Sequence, residues 1–200
     1  MDFSTEELDF FQHVFTSETE TDKTIANEHN LTVETSIPKN VADILGNAKL
    51  TLLAQISHYQ LWFPLTIKKN QDNEFTPILG TPEIMDMQGI DRSWRVNSPQ
   101  NVSLHNKGTK QQVEILSLSS SGITMRANCI TSANKLFEGK ELEMHLPDQR
   151  QVKLALESVR SENNIIAGRF KNVAQGRDCL RKFLFNLHRT KYSELYEQIN

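Results

Sequence analysis

The chain has 200 residues, 38% hydrophobic and 24% charged, which is enough for one large domain or two small ones with a hydrophobic core. The formal charge of −3 is uneven: residues 1–30 hold eight acids and one lysine, a net −7, which leaves +4 on the remainder, too little for a strongly phosphate-driven nucleic-acid binder. No apolar run nears the roughly 18 residues of a spanning helix, and acids follow Met1 where a signal peptide carries a basic region and an apolar stretch, so a cytoplasmic protein without a membrane span is expected.

The chain opens with Ser4-Thr5-Glu6-Glu7, which reads as a capping box before Leu8, Phe11 and Phe15 at helical spacing. Thr16 to Asn30 is polar and acidic and reads as a linker; 1–30 is thus an acidic N-terminal segment with one short helix. Pro38 to Leu45 reads as a second short helix ended by Gly46. Alternation at Leu50, Leu52, Ala54 and Ile56, then at Leu61, Phe63, Leu65 and Ile67, predicts two strands with His58-Tyr59-Gln60 near the turn. Glu74 to Met87, broken by Pro77, Gly80 and Pro82, reads as an irregular strand pair.

The second half repeats this texture. Val102 and Leu104, then Val113, Ile115 and Leu118, then Ile123, Met125 and Ala127 mark strands, followed by Leu142 to Leu146, Val152 to Leu156 and Ile165 to Phe170. Short strands separated by turn residues indicate an antiparallel barrel or sandwich. A helix from about Ala174 follows, with Leu180, Phe183, Leu184 and Leu187 on one face. The expected fold is mainly β, with a small β-rich domain over 31–88 and an antiparallel β-barrel with a C-terminal helix over 89–200.

Catalytic signatures are lacking. Ser117-Leu118-Ser119-Ser120-Ser121-Gly122 has serine where a nucleophile elbow needs its first glycine, and neither GxxxxGK[ST] nor GxGxxG occurs. Cys129 and Cys179 have no paired spacing, and the six histidines are scattered, so neither metal nor cofactor is expected. A non-enzymatic protein is the reading, with an enzyme of unrecognised site as a rival.

One constellation carries a signal. Arg92-Ser93-Trp94-Arg95 and Ser117-x-Ser119-x-x-Gly122 stand about 20 residues apart. Arginine presents a planar fork that matches phosphate or the O6 and N7 of guanine, and a serine turn supplies hydroxyls and backbone N–H groups. Gly122 can take the positive φ that a tight turn often needs. Trp62 and Trp94 read as packing residues.

These elements resemble the PilZ family, which carries RxxxR in a linker, then a strand, then [DN]xSxxG in the next turn. Arg95 matches the second arginine, and Ser119 and Gly122 match the second motif. Ile165 to Phe170, with its Gly168-Arg169-Phe170, is similar to the family's closing strand before a final helix. Two positions depart: Asp91 stands where the first arginine belongs, with Arg92 beside it, and Ser117 stands for Asp or Asn. Residues 31–88 more loosely resemble the small domain that precedes PilZ in flagellar-brake-type proteins.

The resemblance implies a bacterial receptor or adaptor for cyclic di-GMP, bound at the domain junction by Arg92, Arg95, Ser117, Ser119 and Gly122. It implies that the ligand reorients two domains about a hinge near Gly89, and that the output, motility, biofilm or related surface behaviour, runs through a protein partner such as a flagellar motor or a biofilm-related enzyme. A chain that has lost nucleotide binding and acts only through protein contacts is the alternative that Asp91 and Ser117 favour.

Overall fold

The computed structural model describes residues 31–32, 50–69, 75–88, 91–106, 113–127 and 141–197. The N-terminal segment, the 38–45 helix, Gly89 and Cys129 of the sequence reading lie outside the described residues. The chain divides into two compact units, Met1–Pro82 with His188–Asn200, and Glu83–Leu187.

In the first unit, β1 (Leu31–Thr32), β2 (Leu50–Ile56), β3 (Tyr59–Lys69) and β4 (Phe75–Leu79) form antiparallel ladders in the order β1-β4-β3-β2. The β2–β3 turn is two residues long, Ser57-His58, between the paired Ile56 and Tyr59, and Ser57 takes φ 55°. Such a loop closes a tight hairpin whose twist matches its strands. Period-two alternation buries Ala54, Leu61 and Phe63 and leaves Leu53 and Trp62, cross-strand partners, 51% and 45% exposed. Trp62 lies on the outer face of this hairpin and donates its Nε1–H to Gln60 Oε1 at 3.1 Å.

The C-terminal end adds an aromatic cluster to this unit. Tyr59 meets His188 edge-on at 4.4 Å between ring centroids, and His188 Nδ1 lies 2.7 Å from Tyr196 Oη, all three buried. An edge-to-face pair suits the quadrupoles of the rings, and the phenol gains a partner for its hydroxyl.

The second unit begins with β5 (Glu83–Asp86) and β6 (Arg92–Ser93), paired so that Met85 faces Ser93 and Asp86 faces Arg92. The two runs read as one irregular strand pair thus find other partners, β4 with β3 and β5 with β6. There follow β7 (Arg95–Asn97), β8 (Ser103–Asn106), β9 (Glu114–Ser119), β10 (Gly122–Arg126), β11 (Leu142–His145), β12 (Gln151–Glu162) and β13 (Ile165–Gln175). They make a seven-stranded antiparallel sheet in the order β7-β9-β10-β13-β12-β11-β8, curled as a half-barrel. The fold is mainly β, as the alternation predicts.

Inward positions carry Leu118, Ile123, Met125, Leu142, Met144, Leu154 and Ile166, none more than 1% exposed. Each such side chain removed from water contributes about 1.5–3 kcal/mol before conformational entropy is set against it. The apolar phase slips between Ile115 and Leu118 because the ladder shifts there: Thr124 pairs with Ser117 but Met125 with Ile115, so Leu116 is an extra, bulged residue.

Asn163 and Asn164, at φ 48° and 63°, close the long β12–β13 hairpin, and two positive φ values define a type I′ turn. The closing helix α1 spans Arg177–Lys191 and a short α2 spans Ser193–Glu197. The helix starts three residues later than the sequence predicts. Val173 and Gln175 still pair with β12, and Gly176 at φ 83° breaks the strand before its carbonyl accepts the first helical bond from Leu180 N at 3.0 Å. A Cβ at Gly176 would stand 2.5 Å from Gln151 O, so both conformation and space demand glycine. Leu180 and Leu184 are buried, as expected of the apolar face. No helix among the described residues is long and apolar enough to cross a membrane.

Candidate anion-binding site

The two motif segments meet within the second unit. Strand β7 lies antiparallel to β9 with Arg95 opposite Ser119 and Asn97 opposite Ser117, so period-two geometry turns Arg95, Ser117 and Ser119 to one face. Trp94, 4% exposed, separates β6 from β7, and its N–H donates to Ile84 O at 2.8 Å, which fixes the arginine segment against β5.

Arg95 is held by hydroxyls. Its Nη1 donates to Ser117 Oγ at 2.9 Å and to Thr124 Oγ1 at 3.3 Å, and its Nη2 donates to Ser119 Oγ at 3.3 Å. Among the described residues no carboxylate bonds it. Burial, and secondly the like charge of Arg92, push its pKa below the ordinary arginine value. A guanidinium keeps its proton regardless, so Arg95 is a half-buried cation with no counter-ion among the described residues. Three of its five N–H donors are used by the described residues, which leaves two that can meet an anion. Thr124 was not singled out in the sequence; it enters because β10 lies beside β9, a contact that only the ladder register shows.

Ser119 is wholly buried and organises the turn. Its Oγ accepts from Gly122 N at 3.1 Å and lies 3.1 Å from Gly122 O, to which it donates. With its one proton spent there, Ser119 holds Arg95 and the β9–β10 turn rather than offering a free donor. Ser117, 7% exposed, is an acceptor for Arg95 in the same way. Ser121, exposed at the turn, lies 3.3 Å from Ser119 through its hydroxyl.

Gly122 does not use the positive φ open to glycine; among described glycines only Gly176 has it. Its requirement is space: an added Cβ would stand 2.6 Å from Gly168 O on the neighbouring β13. The glycine permits close approach of two strands.

Arg92 is exposed on β6 and, among the described residues, has no side-chain hydrogen bond or ion pair; Asp91 is exposed beside it. The structure thus brings Arg95, Ser117, Ser119 and Gly122 together and puts Arg92 three residues away on the adjoining strand. Cys179 is a free, half-buried thiol, and no group of three potential metal ligands occurs among the described residues.

No protein-family model matches the chain, and no curated protein matches it. Among solved structures, Escherichia coli YcgR in complex with cyclic di-GMP is similar over 88% of this chain and 81% of its own, at 15% identity and a TM-score of 0.39. The Bacillus subtilis inhibitor of motility MotI/DgrA is similar over 67% and 68%, at 13% identity and 0.39. Borreliella burgdorferi PlzA in complex with cyclic di-GMP is similar over 91% and 99%, at 9% identity and 0.34. In fold, a mainly β chain whose curled sheet is followed by a C-terminal helix, the chain resembles the PilZ family.

Proposed function

We propose that the chain is a cyclic di-GMP receptor or adaptor of the PilZ type, with Arg95 as the central anion contact, Arg92 as a second cation, and the Ser117–Gly122 turn as its frame. The observation that carries this reading is the half-buried Arg95 guanidinium, held by three hydroxyls and, among the described residues, by no carboxylate. A half-buried cation met only by neutral hydroxyls is costly, and a phosphate supplies a countercharge in bidentate geometry. The motif resemblance selects a cyclic dinucleotide from among anions. No catalytic role is assigned; the output runs through a protein partner, a motor or a biofilm-related enzyme.

Asp91 supports a second reading, an adaptor that does not bind nucleotide, since it puts a carboxylate where the family has a guanidinium. Calorimetric titration of the full chain with cyclic di-GMP separates the two. Saturable heat that disappears in Arg95→Ala supports the receptor. Absence of heat up to high micromolar ligand leaves the adaptor.

A further inference from the structure

Glu83 stands outside both motifs, yet its carboxylate touches both. Oε1 accepts from Ser120 Oγ at 2.7 Å, within the serine turn, and more loosely from Ser93 Oγ at 3.4 Å, between Arg92 and Trp94. Oε2 accepts from Arg181 Nη2 of α1 at 3.0 Å, with both side chains largely buried at 17% and 28% exposure. The geometry follows from the ladder: Met85 faces Ser93 across β5 and β6, so Glu83, two residues earlier on β5, projects from the same face as Ser93 and is its diagonal neighbour.

We infer that Glu83 is the positioning residue of the anion site, a single carboxylate that aligns the arginine segment with the serine turn while Arg181 locks its orientation. The inference rests on the receptor reading given above for what the aligned site binds. Two consequences support the assignment. Ser120 is drawn to Glu83 while Ser119, its neighbour, bonds Arg95 and Gly122, so the two serines fix the turn from opposite sides. The charge of Glu83 is met by Arg181, so it does not cancel Arg95, and the surplus positive charge stays with the site.

The test uses the full chain and the variants Glu83→Ala, Glu83→Gln and Ser120→Ala, with cyclic di-GMP as probe. In Glu83→Ala, amide hydrogen exchange at Ser120 to Gly122 is expected to accelerate about tenfold, as for loss of one strong charge-assisted bond, while Leu154 and Ile166 keep their protection. Affinity is expected to fall by about tenfold. In Glu83→Gln the amide oxygen still accepts from Ser120, so exchange at the turn recovers most of its slowness. Ser120→Ala, which keeps the ion pair with Arg181, reproduces the accelerated exchange if Glu83→Ala fails to fold. Unchanged exchange at the turn in both Glu83→Ala and Ser120→Ala overturns the inference, as does tighter binding in Glu83→Ala, which would mark the carboxylate as a competitor of the ligand. If the unaltered chain binds no cyclic di-GMP, the receptor reading falls, and the exchange rates of the ligand-free protein still decide the role of Glu83.

Discussion

Arg95 and Ser119 meet twice: their Cα atoms are ladder partners across β7 and β9, and Arg95 Nη2 donates to Ser119 Oγ at 3.3 Å. The backbone pairing that builds the sheet is the same pairing that places the cation, so the site needs no separate loop to assemble it. Replacing Arg95 by lysine keeps the charge and loses the fork. On the proposed receptor reading, binding of cyclic di-GMP to Arg95→Lys should weaken by about ten- to a hundredfold, at about 1–3 kcal/mol for lost polar contacts, as read by calorimetry. Equal affinity would remove the guanidinium from the recognition chemistry.

Ser119→Ala tests the turn itself. It leaves Gly122 N without its acceptor in a site closed to water, which should destabilise the fold by about 1–3 kcal/mol. Ser121→Ala, at an exposed position, should change the urea midpoint little. Similar midpoints for the two variants would contradict the assignment of Ser119 as the internal cap.

At the other end of the sheet, Asn164→Val should slow or weaken closure of the β12–β13 hairpin. A β-branched residue at φ 63° costs about 1–2 kcal/mol, whereas Asn164→Gly should be neutral or slightly stabilising. Thermal unfolding of the pair gives the comparison.

Tyr196 carries a pH dependence. Burial raises its pKa above the ordinary phenol value, so the folded chain holds the proton more tightly than the unfolded chain does. The stability this contributes is fully present below the unfolded tyrosine pKa of about 10 and is lost as pH rises beyond it. Denaturant midpoints measured from neutral pH to above 10 should fall more steeply for the unaltered chain than for Tyr196→Phe, which lacks the titrating group. The phenylalanine variant should begin lower, because His188 loses the hydroxyl 2.7 Å away.

The strands and helix face that were legible in the sequence are those whose burial is one-sided. Leu50 to Ile56, Leu142 to Leu146 and the Leu180/Leu184 stripe alternate at the period their backbone imposes. The outer half of β12, from Glu157 to Glu162, has no buried residue and no apolar alternation; its strand state comes from pairing with β13 alone, which composition does not record. The sequence places the start of α1 early because Val173-Ala174-Gln175 is compatible with helix, and the pairing across to Lys153 and Leu154 holds it extended. Arg95, Ser117, Ser119 and Gly122 were found through local motifs. Thr124 and Glu83 were not, because the sheet register and a bond spanning 98 residues to Arg181 bring them in.

The crowding of Gly122 against Gly168 has a bearing on how such chains are classified. A related chain that met no nucleotide at all would still be confined to glycine at 122 by the neighbouring strand, and to a small hydroxyl at 119 by the turn. Two of the three letters by which the second motif is recognised are thus kept by folding, and their presence in a sequence says little about ligand. More informative is the exposed first-arginine position, Asp91, and Arg92 beside it, where a change of charge alters what the surface attracts without disturbing the buried sheet.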